Sequence, residues 1–99
     1  LIRVRWTPSA ANDLYQIVQH IQQDNPSAAV RTAETLYDGC AGLGKFPFLG
    51  RKGKLEGTRE LVFSKLRYIV VYEVREDVVN LIRIQHASQK ETRLETAED

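Results

Sequence analysis

A single cysteine, Cys40, stands among the 99 residues, so neither an intrachain disulfide nor a thiolate metal cluster can form. That usage fits a reducing cytoplasm, which is the expected location. No apolar run approaches the length of about 18 residues that a membrane span needs, and no basic, apolar, small-residue leader marks a signal peptide. No membrane association, metal or cofactor is expected. The chain is also too short for two cores. It reads as a single domain, 1–99, able to bury roughly 60 to 70% of its extended surface without staples.

A strong charge excess is likewise missing, since the formal net charge is +1. The distribution is uneven, however. Residues 8–44 sum to −3 and residues 90–99 to −2, whereas residues 45–67 sum to +5. The middle segment carries Lys45, Arg51, Lys52, Lys54, Arg59, Lys65 and Arg67 against Glu56 and Glu60. Such an island favours an acidic partner.

The hydrophobic pattern divides the chain into elements. "LIRVRW" alternates Ile2, Val4 and Trp6 with Arg3 and Arg5, the two-residue period of a half-buried strand. Thr7 and Pro8 then supply an N-cap and a first helical residue. Ala11, Leu14, Ile17, Val18 and Ile21 form the apolar stripe of that helix. Asn25 and Pro26 repeat the start signal for a second helix, buried through Ala29, Ala33, Leu36, Cys40 and Leu43 and stopped by the glycines at 42 and 44. Lys45 to Gly57 has no period and reads as a loop or irregular extended segment. "TRELVF", "RYIVVYEV" and "VVNLIRIQH" follow as strands, with turns near Ser64 to Leu66 and around Glu76 and Asp77. In the last strand, alternation puts Val78, Ile82, Ile84 and His86 on one side and Arg83 and Gln85 on the other. The polar tail, 88–99, has no apolar stripe.

This order implies an α+β domain. An N-terminal strand and an antiparallel two-helix hairpin precede a three-stranded antiparallel meander, completing a four-stranded sheet with both helices on one face. The other face is then open, and an open antiparallel face edged by cations is a docking surface. The glycines of "GRKGKLEG" match neither a P-loop nor a dinucleotide fingerprint, and no zinc-ligand or recognition-helix pattern marks a direct reader of DNA sequence.

The stretch Phe46-Pro47, Gly50-Arg51, Gly57-Thr58-Arg59-Glu60-Leu61, Tyr68 to Tyr72 and Arg83 to His86 resembles, in order and spacing, the RelE/ParE toxin superfamily, most closely its ParE-like branch. The opening strand, the Thr7-Pro8 start and the "NPSAA" junction extend the resemblance over residues 2 to 90. The resemblance implies the toxin of a type II toxin–antitoxin pair, with a cognate antitoxin as partner and operator DNA met only through that antitoxin. ParE-like members imply DNA gyrase as target. RelE-like members imply metal-free cleavage of mRNA on the ribosome, and a non-toxic antitoxin-binding scaffold is a third alternative.

Cleavage at a 2′-hydroxyl needs a proton acceptor, a cation beside the phosphate and an acid for the leaving oxygen. Arg59, Arg67, Arg83 and His86 are the candidates for these roles. The chain has Ile69 where many relatives carry arginine, and "HASQKE" lacks the tyrosine common in strong nucleases of the superfamily. Arg51, Lys52, Lys54, Arg59 and Arg83 are the candidate partner-binding residues; the plain alternative is a solvated loop for Arg51, Lys52 and Lys54, and pairing with Glu60, Glu73 or another strand neighbour for Arg59. A lone histidine placed like His86 is more often a hydrogen-bonded strand end than a catalytic group. Tyr68 and Tyr72 read as packing residues with hydroxyls at the rim.

Overall fold

The computed structural model describes residues 1–89. Most of the polar tail therefore lies outside the described residues. Strand β1 (Arg3–Trp6) leads directly into α1 (Pro8–Gln22), and Thr7 makes the junction. Its hydroxyl accepts from the Ala10 N–H at 3.2 Å as an N-cap and donates to the Leu81 carbonyl at 2.7 Å. Asn25 caps α2 (Pro26–Ala41) in the same way, accepting from the Ala28 N–H at 3.1 Å. A 3-10 turn over Gly42–Gly44 follows the end of α2. The buried stripe of α1 runs through Ala10, with Leu14 and Ile17 packed beside it, so Ala10 and not Ala11 is the inward alanine. On α2, Thr32 joins Ala29, Leu36 and Cys40 in the interior.

The sheet has five strands rather than four, in the order β1-β5-β4-β3-β2. The added strand, β2 (Arg51–Lys52), lies within the glycine-rich stretch expected to be a loop or irregular extended segment, where it pairs antiparallel with β3 (Arg59–Phe63). Two residues are too few to show a period, so the pairing is invisible until β3 is in place. β4 (Tyr68–Arg75) and β5 (Val78–His86) complete the meander, and β1 adds to the far side of β5 in parallel. Val70 and Tyr72 of β4 face the helices, together with Val79, Leu81 and Ile84 of β5. The α2 hairpin arm approaches β3 closely, because a Cβ on Gly39 would lie 2.5 Å from the Phe63 ring.

One irregularity changes the expected parity of β5. Val71 pairs with Arg83 while the next residue, Tyr72, pairs with Leu81, so Ile82 is the extra residue of a β-bulge. Ile82 therefore does not share a side with Ile84 and His86. Ile84 pairs with Val70 and His86 with Tyr68 on the helix side, whereas Arg83 follows Val71 to the other face. The arginine expected near the start of β4 also moves. Arg67 lies in the turn before the strand with φ 65°, so its side chain takes no part in strand alternation with Ile69.

The β4–β5 hairpin closes through Glu76 and Asp77, both in the left-handed region at φ 51° and 62°, between the paired residues Arg75 and Val78. That geometry fits a type I′ turn, which favours Asn-Gly. The paired replacement Glu76→Asn, Asp77→Gly should stabilise the fold by about 1 kcal/mol, raising the thermal midpoint by roughly 4 to 8 °C. Calorimetry showing no increase would mean that the turn carries no strain.

Burial pushes the Cys40 thiol from an ordinary 9.0 up to about 12. Because the folded value is the higher one, the neutral thiol favours the fold below 9.0, and this contribution is lost as pH rises toward 12. At about pH 8 the native chain should resist iodoacetamide, and in denaturant it should label at the rate of a free thiol. Rapid labelling of the native chain would show that α2 opens locally.

Candidate functional site

The pleat sorts the cations onto two faces. Arg51, Glu60, Val71 and Arg83 are successive cross-strand partners, forming a row over the face away from the helices. Arg51 donates from Nε to Glu60 Oε1 at 3.0 Å, with a second nitrogen at 2.9 Å. The Glu60 side chain is only 4% exposed, so the pair compensates a buried carboxylate. Beside this row Leu55, Val71 and Ile82 line a small cavity of about 80 Å³, with Lys54 and Arg83 also in its wall. Further along the same face Arg5 donates to Asn80, and Asn80 donates to Glu73.

Lys52 and Arg59 are cross-strand partners, and Arg59 also faces Tyr72, which puts both cations on the helix side. The Arg59 guanidinium is fastened to main-chain carbonyls, while Glu60 pairs with Arg51 on the other face. Arg59 Nη1 donates to the Gly50 carbonyl at 2.7 Å and to the Phe48 carbonyl at 3.4 Å, with the guanidinium 5.0 Å from the Phe48 ring centre. The five candidate partner-binding residues therefore form two groups. Arg51, Lys54 and Arg83 belong to the helix-free face, and Lys52 and Arg59 to the opposite side of the sheet edge.

Arg83 has a specific internal role. β1 ends at Trp6, so the outer edge of β5 beyond Leu81 has no strand beside it, and Asp13 of α1 occupies that edge. The carboxylate accepts from Arg83 Nε at 2.8 Å and from its terminal nitrogen at 3.1 Å, and it also accepts from the Ile84 N–H at 2.9 Å. This fork raises the Arg83 pKa, against a smaller opposing effect of burial. Sequence reasoning missed Asp13. Its signal was an acid on the inward stripe, three residues after Ala10 and four before Ile17.

His86 lies on the helix side, its ring edge-on to Tyr68 at 5.4 Å. Nδ1 accepts from the Ser88 N–H at 3.2 Å and lies 2.7 Å from the Ser88 hydroxyl. His20 of α1 and His86 line one groove of about 370 Å³ with Asp13, Gln16 and Tyr68. Arg67 is close to this end of the sheet, since its carbonyl accepts from the Ala87 N–H at 2.8 Å. Arg59 is distant, because its partner Tyr72 is four residues along β4 from the His86 partner Tyr68, which is roughly 13 Å. Arg59 thus stands apart from His86, whereas Arg67 and, through Asp13, Arg83 lie toward the His86 end of the sheet. Among the described residues no group of three or more His, Cys, Asp or Glu side chains could hold a metal ion.

Tyr72 organises the remaining corner. It is fully buried, and its hydroxyl accepts from the Gly50 N–H at 2.8 Å and donates to the Pro47 carbonyl at 2.9 Å. Burial raises its pKa, an effect opposed by the Gly50 hydrogen bond and by Arg59. Gly50 has no room for a side chain, since a Cβ would lie 2.7 Å from both the Glu60 carbonyl and the Tyr72 hydroxyl. The Lys45–Leu49 segment leading to it is therefore held by the core.

Replacing Asp13 by alanine should cost about 2 kcal/mol, because the Ile84 N–H and the Arg83 guanidinium both lose their acceptor, with the partial exposure of Arg83 limiting the loss. Asparagine at the same position should recover part of it by keeping one acceptor. Urea midpoints for the parent and the two variants check this, and equal stability of the alanine variant and the parent would remove the clamp from the account.

The family model described as ParE toxin of type II toxin-antitoxin system, parDE, matches residues 4–91. A protein of Sinorhizobium fredii named as a toxin, Y4kP, is 35% identical over 88 residues, covering 89% of this chain and 91% of its own length. Toxin RelE2 of Caulobacter vibrioides is 35% identical over 89 residues, covering 90% and 99%. A chain of the chromosomal ParDE toxin–antitoxin system of P. aeruginosa superposes with a TM-score of 0.78 at 22% identity, over 86% of this chain and 95% of that one. At that identity the likeness concerns the fold.

Proposed function

The chain belongs to the ParE toxin family of type II toxin–antitoxin systems, and from that membership we propose that it acts in the cytoplasm by binding and inhibiting DNA gyrase and is neutralised by a cognate antitoxin. The observation that carries binding over RNA cleavage is that Arg59 is held apart from His86 and that Arg83 is already taken up by a carboxylate of the protein itself. A 2′-hydroxyl, a scissile phosphate and a leaving oxygen must all be reached from one place. Here Arg59 is fastened to the Gly50 carbonyl, four residues along β4 from the pairing position of His86, and Arg83 is taken up by Asp13, which lines the same groove as His86. Gyrase as the target follows from the ParE-like character of the family.

The antitoxin is assigned to the helix-free face. The exposed Arg51 and Lys54 and the small apolar cavity on that face suit an acidic segment carrying one modest apolar side chain. Operator DNA is then met through the antitoxin. A second reading, ribosome-dependent mRNA cleavage, draws on the 35% identity with a relative named RelE2.

Expression from a controlled promoter with parallel measurement of the SOS response and of message integrity distinguishes the two. Gyrase-dependent double-strand breaks with intact messages are expected, and purified chain added to gyrase should reproduce the breaks. Message cleavage in the ribosomal A site, abolished by His86→Ala, would overturn the binding reading.

A further inference from the structure

Three large apolar side chains project from one short corner between α2 and β2. Phe46 is 57% exposed, Phe48 63% and Leu49 63%. Isolated exposed apolar residues are ordinary, but three within four positions form a contiguous patch of the kind that marks an interaction site. The patch is built rather than loose. Tyr72 holds Pro47 within it and Gly50 at its end, and Arg59 holds the carbonyls of Phe48 and Gly50. An anchor fixed in this way loses little entropy on binding.

The charge around the patch has one sign. From Gly39 to Leu55 the chain carries Lys45, Arg51, Lys52 and Lys54 and no acid. Lys45 lies over the Phe46 ring at 5.5 Å and Arg59 over the Phe48 ring at 5.0 Å, so both aromatic anchors have a cation at their face. Lys52 lies on the same side of the sheet as Arg59. A complementary surface is apolar at its centre and acidic at its rim.

Shape decides between a peptide and a folded protein. An extended peptide supplies side chains and needs grooves to receive them. This corner supplies the side chains itself, and so needs a concavity in its partner. We propose that the Lys45–Leu49 corner is the surface by which this toxin grips its folded protein target, inserting Phe46 and Phe48 into an apolar pocket rimmed by carboxylates. The proposal rests on the reading that the chain acts by binding a protein. It assigns target and antitoxin to different surfaces, the corner for the first and the helix-free face for the second.

The test uses the full chain and the double variant Phe46→Ser, Phe48→Ser, with Tyr15→Ser on the outer face of α1 as a matched loss of exposed aromatic surface. Purified gyrase is the binding probe, growth arrest after induction is the cellular readout, and capture by the co-expressed cognate antitoxin reports the other surface. The double variant should lose affinity for gyrase on the order of 30-fold or more and should fail to arrest growth, while antitoxin capture and the Tyr15→Ser protein remain as in the parent. Lys45→Glu, an exposed change that leaves the fold untouched, should slow association and flatten its salt dependence, which keeps the test open if the double variant does not fold. Unchanged gyrase affinity and growth arrest in a folded double variant, or in Lys45→Glu an unchanged association rate, would overturn the proposal. Loss of antitoxin capture with growth arrest intact would do so as well, by giving the corner to the antitoxin. A parent chain that arrests growth without binding gyrase would sink the gyrase reading alone, and growth arrest by the double variant would then decide the corner.

Discussion

The hydroxyl of Tyr72 is the contact through which the hydrophobic core reaches the surface of this protein. The ring fills the centre of the helix-facing side of the sheet, and its oxygen meets the Gly50 N–H and the Pro47 carbonyl at 2.8 and 2.9 Å. A buried phenol without partners would be costly. Here the partners come from a segment with no regular structure, so satisfying the phenol also fixes where that segment lies. Gly50 then meets β3 without a side chain, and the next two residues pair as β2. The aromatic corner and the fifth strand both follow from one satisfied oxygen.

A second constraint acts at the other edge. β1 covers only the first half of β5, and α1 begins where β1 ends, so Asp13 reaches the N–H of Ile84 that a longer β1 would have taken. The bulge at Ile82 lies beside this contact and brings Ile82 and Arg83 to the same face, with Leu81 and Ile84 both in the core. Arg83 can then reach the same carboxylate around the edge. What reads in one dimension as a cation available to a partner is in three dimensions part of the packing of a helix against a sheet.

These two constraints divide the basic island. Its residues lie close in sequence, but the two-residue period of β2 and β3 sends Arg51 to one face and Lys52 and Arg59 to the other. The helix-free face keeps an ion-paired row over a small apolar cavity, and the helix-side corner keeps aromatic rings with cations above them. One charged segment thereby contributes to two surfaces with different chemistry.

Local signals alone determined much of this protein. The caps at Thr7 and Asn25, the span of β5 and the inward positions of Leu36, Cys40 and Tyr72 are consequences of residue type and spacing within a few positions, and each was legible in the chain. The α+β layering and the toxin-family character were legible as well, because they depend on the order of such elements. Only the tertiary structure decided β2, the bulge at Ile82, the left-handed turn at Arg67 and the partners of Arg59 and Arg83. Each of these depends on contacts between residues far apart in sequence, where register sets the outcome and a slip of one position exchanges the two faces of the sheet.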